Sequence, residues 1–147
     1  MNRLKWWFRI VGGFYTLLGV INLYAVLSGD PSWFRSTIPF PVDATSLQAF
    51  VDGWSPFAFE IFGIGVFLLW ASRNPLKYLG VVYFAAWLEI MHGVLDDLYL
   101  IAHGYDLAGY VAFIVVHLII AGTGVMFARQ ASAQSSQPAS LAAKGNA

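Results

Sequence analysis

The chain has 147 residues, no net formal charge and no cysteine. That length fits one domain, and the lack of cysteine excludes disulfides, thiolate nucleophiles and Cys-ligated metal. A hydrophobic share of 59% with only 11% charged residues lies well above the apolar fraction of a soluble protein, and without a basic, aromatic-interleaved patch there is no basis for nucleic-acid binding.

Four apolar windows follow one another along the chain. The first, Trp6–Leu27, comes after Arg3 and Lys5 and superficially resembles a signal peptide. It is too long for one, carries Asn22 and Tyr24, and ends without a small-x-small cleavage pattern, so it is expected to be a retained span. The loop after it holds Asp30-Pro31, Pro39-Phe40-Pro41 and Asp43-Ala44-Thr45, which are turn and helix-start signals. A short interfacial helix is expected over Thr45–Asp52, with Leu47, Phe50 and Val51 on its apolar side. The second window, Pro56–Ser72, is the shortest, and its span is drawn over residues 54–72. Asn74-Pro75 marks a tight turn before the third window, Leu76–Ile101, and Gly104-Tyr105-Asp106 marks another before the fourth, Ala108–Ala128. A span needs about 20 residues, with a range of roughly 17–25, and all four windows meet it.

Short links predict that spans two and three, and spans three and four, are antiparallel neighbours. The expected fold is therefore all-α and integral to a membrane: an up-and-down four-helix transmembrane bundle over residues 1–129. From Gln130 the chain turns to Ser, Ala and Gln, a composition expected to form a disordered tail over 130–147.

Seven of the eight lysines and arginines fall on one side of this scheme: Arg3, Lys5, Arg9, Arg73, Lys77, Arg129 and Lys144, against Arg35 alone. The positive-inside rule then predicts that both termini are cytoplasmic. Trp6, Trp7 and Trp70 are expected near the inner interface, Trp33 and Trp54 near the outer one, as aromatic belts.

The informative residues lie within the spans. Ionisable groups at bilayer depth cost roughly 2.5–3.5 kcal/mol each on insertion scales, so they persist where a bundle interior, a partner or a task shelters them. At about 100° per residue, Glu89, His92 and Asp96 share one narrow arc with Ala85, Ala86 and Gly93, while Phe84, Trp87, Met91, Val94 and Leu98 lie opposite. The fourth span splits likewise, with Tyr110, His117, Ala121, Gly124 and Ala128 on one side and Val115, Ile119 and Met126 on the other. Glu60 aligns with Gly53, Ile64, Phe67 and Ala71 in the second span, and Asn22 aligns with Tyr15 and Val11 in the first.

Counted at about 1.5 Å per residue from the outer ends, Asn22, Glu60 and Asp96 lie roughly 6–9 Å deep, His92 and His117 at roughly 14 Å, and Glu89 deeper still. These six residues predict one shared intramembrane site in the outer half of the bundle. Asp97 and Asp106 are expected to be solvated, and His103 to lie in the outer loop. Gly12-Gly13, Gly63-x-Gly65 and Gly122-x-Gly124 read as close-packing points.

Several chemistries fit such a cluster. Convergent polar groups walled by Phe, Tyr and Trp suit a small hydrophobic or aromatic molecule, a quinone among them. Glu89-x-x-His92 has the spacing of a di-iron half-motif but occurs once; Glu60, Asp96 and His117 could complete a mononuclear transition-metal site with it, as in a membrane oxidoreductase. The matched depth of His92 and His117 permits bis-His haem, although neighbouring helices leave little room for a porphyrin. Buried carboxylate and imidazole relays also serve proton or solute movement. The same residues can instead hydrogen-bond one another and fix helix register in a structural subunit. No catalytic triad, phosphate loop or cofactor fingerprint is present, so no catalytic residue is assigned and no resident cofactor is expected. The expected partners are the bilayer, a small hydrophobic ligand and a second copy of the chain.

The runs Leu4–Tyr15 (LKWWFRIVGGFY), Ala49–Asp52 (AFVD), Ala71–Pro75 (ASRNP) and Glu89–Asp96 (EIMHGVLD) resemble the small bacterial membrane proteins of the BphX-like family. The resemblance extends along most of the chain and implies a four-span protein encoded near genes for aromatic-compound degradation. The family has no settled activity, so no catalytic residues carry over. By association it favours an aromatic or otherwise hydrophobic ligand and an accessory rather than enzymatic role.

Overall fold

The computed structural model of the protein describes residues 2–144, and every regular element in them is a helix. Helix α1 spans Asn2–Leu27, α2 is a single turn at Ser32–Arg35, and α3 spans Ala44–Ala71. The third span is composite: α4 (Leu79–Leu88), a π-helical segment (Glu89–Leu95) and α5 (Asp96–Ala102) run without a break. Helix α6 covers Leu107–Lys144. Four helical stretches are long and apolar enough to cross a membrane: Asn2–Leu27, Ala44–Ala71, Leu79–Ala102 and Leu107–Ser135. The fold is the expected all-α membrane bundle.

Three boundaries differ from the sequence reading. The interfacial helix expected at Thr45–Asp52 is the first part of α3, continuous with the second span. Pro56 lies inside α3, where its ring nitrogen cannot donate to the Asp52 carbonyl. The Ser55 hydroxyl donates to that carbonyl instead, at 2.9 Å, which satisfies the freed acceptor and lets the helix run on. The loss of regular structure expected at Gln130 does not occur there. Helix α6 continues through it, and Ala131, only 3% exposed, packs into the main core. The Ala, Gln and Ser residues of this stretch tolerate helix, and Ala favours it. The third difference is the π segment, described below.

The four spans form two hairpins. Helix α3 packs along α1, the third span packs along α6, and the hairpins meet mainly where α1 touches α6. Spans two and three were expected to be neighbours, yet they scarcely pack against each other despite the short link at Asn74-Pro75. The α1–α3 pair is close because small residues line it. A Cβ added at Gly12 would come within 2.8 Å of the Leu69 backbone nitrogen, and one at Gly19 within 2.5 Å of the Phe62 Cα. Such close backbone approach substitutes for the hydrophobic drive that lipid cannot supply. In each expected glycine pair one member does this packing: Gly12, Gly65 and Gly124 meet neighbours, while Gly13, Gly63 and Gly122 face open space.

The two ends of the bundle differ. At the end that carries the termini and the Asn74 turn, Leu4, Trp7, Phe8, Leu68, Val82 and Ile120 form a dense core. Trp7 belongs to that core and not to an interfacial belt: it is 4% exposed and its indole donates to the Ile120 carbonyl at 3.1 Å. Trp6 and Trp70 remain exposed, as belt residues would be. At the other end the 28–43 loop folds onto α1 and α3 through Phe34, buried beside Ala25, Leu47 and Val51. Asp43 caps α3 by accepting the Ser46 N–H at 2.7 Å, and Asp106 caps α6 by accepting from Gly109 at 3.0 Å. Between the dense end and the loop end the hairpins separate, and that separation holds the site.

Candidate functional site

A cavity of about 260 Å³ lies between the hairpins and is lined by residues of all four spans. Asn22 of α1, Glu60 of α3, Glu89, His92 and Asp96 of the third span, and His117 of α6 all contribute to its wall. The six residues expected to converge are thus brought to one space, though they play unequal parts in it.

Glu89 is the centre of the arrangement. It is 3% exposed, accepts a 2.6 Å hydrogen bond from the Tyr15 hydroxyl on Oε1, and lies 2.6 Å from Nδ1 of His117 through Oε2. Which of the two groups donates in this contact follows the tautomer and protonation of the pair. Nε2 of the same ring then faces Oδ2 of Asp97 at 3.8 Å, too long for a hydrogen bond. Three spans are tied together in this way, α1 and α6 each bonding to the third. Tyr15 was placed on the same face as Asn22 but given no part in the site. A tyrosine one helical stripe below a polar residue is the signal that could have found it.

Asp97 was expected to be solvated. It is buried at 6% exposure, lines the cavity, and its Oδ2 has no hydrogen-bond partner. The π segment is the cause. Its wider turns insert one extra residue, which sets every later side chain back by roughly one residue's rotation, about 100°. Asp97 therefore takes the inward place on the Glu89 face, and Asp96 turns outward to an exposed position at the cavity margin. Gly93, in the middle of the segment, is buried, and the ring of His117 fills the space a side chain there would need.

The i, i+3 pair Glu89–His92 read from the sequence does not form. Glu89 bonds to Tyr15 and His117, while Glu60, His92 and Asp96 make no hydrogen bond among the described residues and are each exposed at the cavity rim. They lie along the seam between α3 and the third span. Toward one end the Tyr78 ring meets Trp70 at 5.0 Å and Phe67 at 6.0 Å, and toward the other Phe40 of the 28–43 loop meets Tyr105 at 6.3 Å.

One wall is aromatic. Trp54 donates through its indole to Asn22 Oδ1 at 2.8 Å, while the Asn22 amide donates to the Leu18 carbonyl at 2.9 Å. Asn22 thus holds Trp54 in place, and Trp54 stacks on Phe50 and meets Phe57 edge-on at 4.7 Å. Trp54, expected at an interface, is a cavity residue. Phe14 and Phe113 complete the apolar surface. The wall carries four carboxylates (Glu60, Glu89, Asp96 and Asp97) and two imidazoles, with no lysine or arginine. No group of three or more His, Asp or Glu side chains among the described residues is placed to share a metal ion.

These features define a membrane protein of four spanning helices, built as two hairpins around one acidic, aromatic-walled cavity. The chain matches the BphX-like family over residues 1–133 and belongs to that family. No curated protein and no solved structure matches it.

Proposed function

We propose that this is an accessory, non-enzymatic membrane protein whose cavity holds a small hydrophobic or aromatic molecule. The observation that carries the proposal is a largely apolar cavity in which Trp54, Phe57 and Phe113 share the wall with a few polar groups. That combination, mostly apolar with a small number of placed polar groups, is the usual make-up of a ligand site. The scarcity of close packing between α3 and the third span, where Glu60, His92 and Asp96 stand exposed, supports access from the lipid phase. The protein sits in a bacterial inner membrane with both termini cytoplasmic, a reading supported by the seven-to-one distribution of lysine and arginine.

Two experiments test this. Protein purified in mild detergent is extracted into organic solvent and assayed by mass spectrometry, with elemental analysis alongside. A stoichiometric small molecule without iron, copper or zinc is the expected result, and a stoichiometric transition metal would instead favour a membrane oxidoreductase. For orientation, a phosphatase fused after Arg129 should be inactive, and an active periplasmic fusion there would overturn the topology.

A second reading has an observation of its own. Tyr15, Glu89, His117 and Asp97 form a chain broken only by the 3.8 Å gap at its last link, and linked carboxylates and imidazoles are the usual machinery of proton movement. Proteoliposomes carrying the protein would then dissipate an imposed pH gradient faster than those with Glu89→Gln.

A further inference from the structure

We propose that the molecule held in the cavity is a cation: a protonated amine on a body about the size of one aromatic ring. This rests on the reading that the cavity binds a small hydrophobic molecule, and adds the charge of its polar end.

The argument begins with Asp97. Its carboxylate stands on the cavity wall, more than nine-tenths buried, and Oδ2 receives no hydrogen bond. A buried carboxylate without a donor is costly to keep, and among the described residues only the His117 Nε2, at 3.8 Å, comes near it. Oδ2 itself is sealed off, so a donor from the cavity would reach this carboxylate through Oδ1, which is likewise without a hydrogen bond among the described residues. Glu60 and Asp96, also without hydrogen bonds, stand on the same wall. Glu89 differs, since Tyr15 and His117 already satisfy it.

Charge then selects among donors. Four carboxyl groups share the wall with two imidazoles and with no lysine or arginine, so acidic groups outnumber basic ones there. An anionic ligand would be repelled at close range in a medium of low dielectric. A neutral hydroxyl supplies one hydrogen bond and leaves the charge standing. An ammonium group supplies up to three donors and the opposite charge together. The remaining lining favours the same choice, because Trp54, Phe14, Phe57 and Phe113 line the space, and aromatic rings attract cations within about 6 Å of their faces. Volume sets the size of the body: about 260 Å³ lies just below the usual range for drug-sized ligands, roughly 300–1,000 Å³.

The test uses the full chain in phosphatidylcholine nanodiscs, with empty nanodiscs as the partition control. Three probes of similar shape, 2-phenylethylamine, 2-phenylethanol and 3-phenylpropionate, are titrated calorimetrically at pH 7. The amine should bind about tenfold tighter than the alcohol or better, the gain of a charge-assisted over a neutral hydrogen bond, and the carboxylate should bind weakest. In Asp97→Asn, which keeps the shape and removes the charge, the preference for amine over alcohol should shrink to about twofold. Equal or tighter binding of the alcohol overturns the cationic assignment and leaves the hydrophobic-ligand reading standing, as does an unchanged preference in folded Asp97→Asn. No binding of any probe overturns both. Should Asp97→Asn fail to fold, the order of the three probes on the wild-type protein still decides the question.

Discussion

Gly93 of the third span faces the imidazole of His117 on α6, and a Cβ added at position 93 would overlap the ring. The π segment, the missing side chain and the histidine are therefore one feature. The segment widens the helix where α6 approaches, the glycine leaves room for the ring, and the ring reaches Glu89 at 2.6 Å. Gly93→Ala should displace His117 and destabilise the bundle by about 1–3 kcal/mol, the usual cost of overpacking. Gly80→Ala, in the same span but facing open space, should be neutral or mildly stabilising. Thermal unfolding of the two variants in one detergent separates them, and equal effects would mean the contact is of no consequence.

Glu89 holds two partners, so its replacement should be asymmetric. Glu89→Leu strands the Tyr15 hydroxyl and the His117 imidazole, and a broken buried pair costs about 3–5 kcal/mol. Glu89→Gln keeps an acceptor and should cost less, and Glu89→Leu combined with His117→Leu should recover part of the loss. His92→Ala, which removes no hydrogen bond, should stay within about 0.5 kcal/mol of wild type. Denaturation of these four variants and of His117→Ala tests the pairing. A larger loss for His92→Ala than for His117→Ala would restore the Glu89–His92 pair read from the sequence.

How far the sequence reaches can be seen at Glu89 and Asp97. Hydropathy alone locates four spans, and the 100° rule brings Asn22, Glu60, Glu89, His92, Asp96 and His117 to the same cavity, because both depend on composition and period. What escapes is any effect that tertiary packing imposes on the period. The π segment has no propensity signature of its own, so ideal helical arithmetic turns Asp96 inward and Asp97 outward, the reverse of the structure. The adjacency of Gly93 to His92 and the doubled aspartate were the only local hints. Link length misled in a similar way: Asn74-Pro75 is a tight turn, yet α3 follows α1 and not the third span, since the contact is decided by Gly12, Gly19 and Gly65. Trp7 looked like a belt residue by position, but a backbone carbonyl 113 residues away takes its indole proton.

The α1–α3 seam offers a sharper test of small-residue packing, because one short motif contains its own control. Gly65 lies against the backbone of Thr16, whereas Gly63 meets nothing. Gly65→Ala should force the hairpin apart, lower the melting temperature and alter the cavity wall at Ile61 and Ile64. Gly63→Ala should leave the fold unchanged. If both variants melt together with wild type, the close approach of α1 and α3 is not a source of stability.

Outside the spans, Asp43 provides a pH test. Its carboxyl accepts the Ser46 backbone N–H at the start of α3, and that hydrogen bond holds its pKa below the ordinary aspartate value. A folded-state pKa below the unfolded one gives a contribution that is present above the unfolded value and is lost as pH falls through the folded one. The Ser46 amide resonance should therefore titrate in the acidic range in wild type. In Asp43→Asn, which keeps an acceptor but no titrating group, the shift should vanish. Persistence of the same titration in Asp43→Asn would assign it to another carboxyl.

The most direct measurement is a density map of the natively purified protein at a resolution that distinguishes ordered water from a bound molecule. Non-protein density between the Trp54 ring and the Asp97 carboxylate, continuous and about one ring in size, is the expected result. A cavity holding only ordered waters hydrogen-bonded to Asp97, or one closed by α3 collapsing onto the third span, would contradict the proposal that this protein is built to hold a ligand.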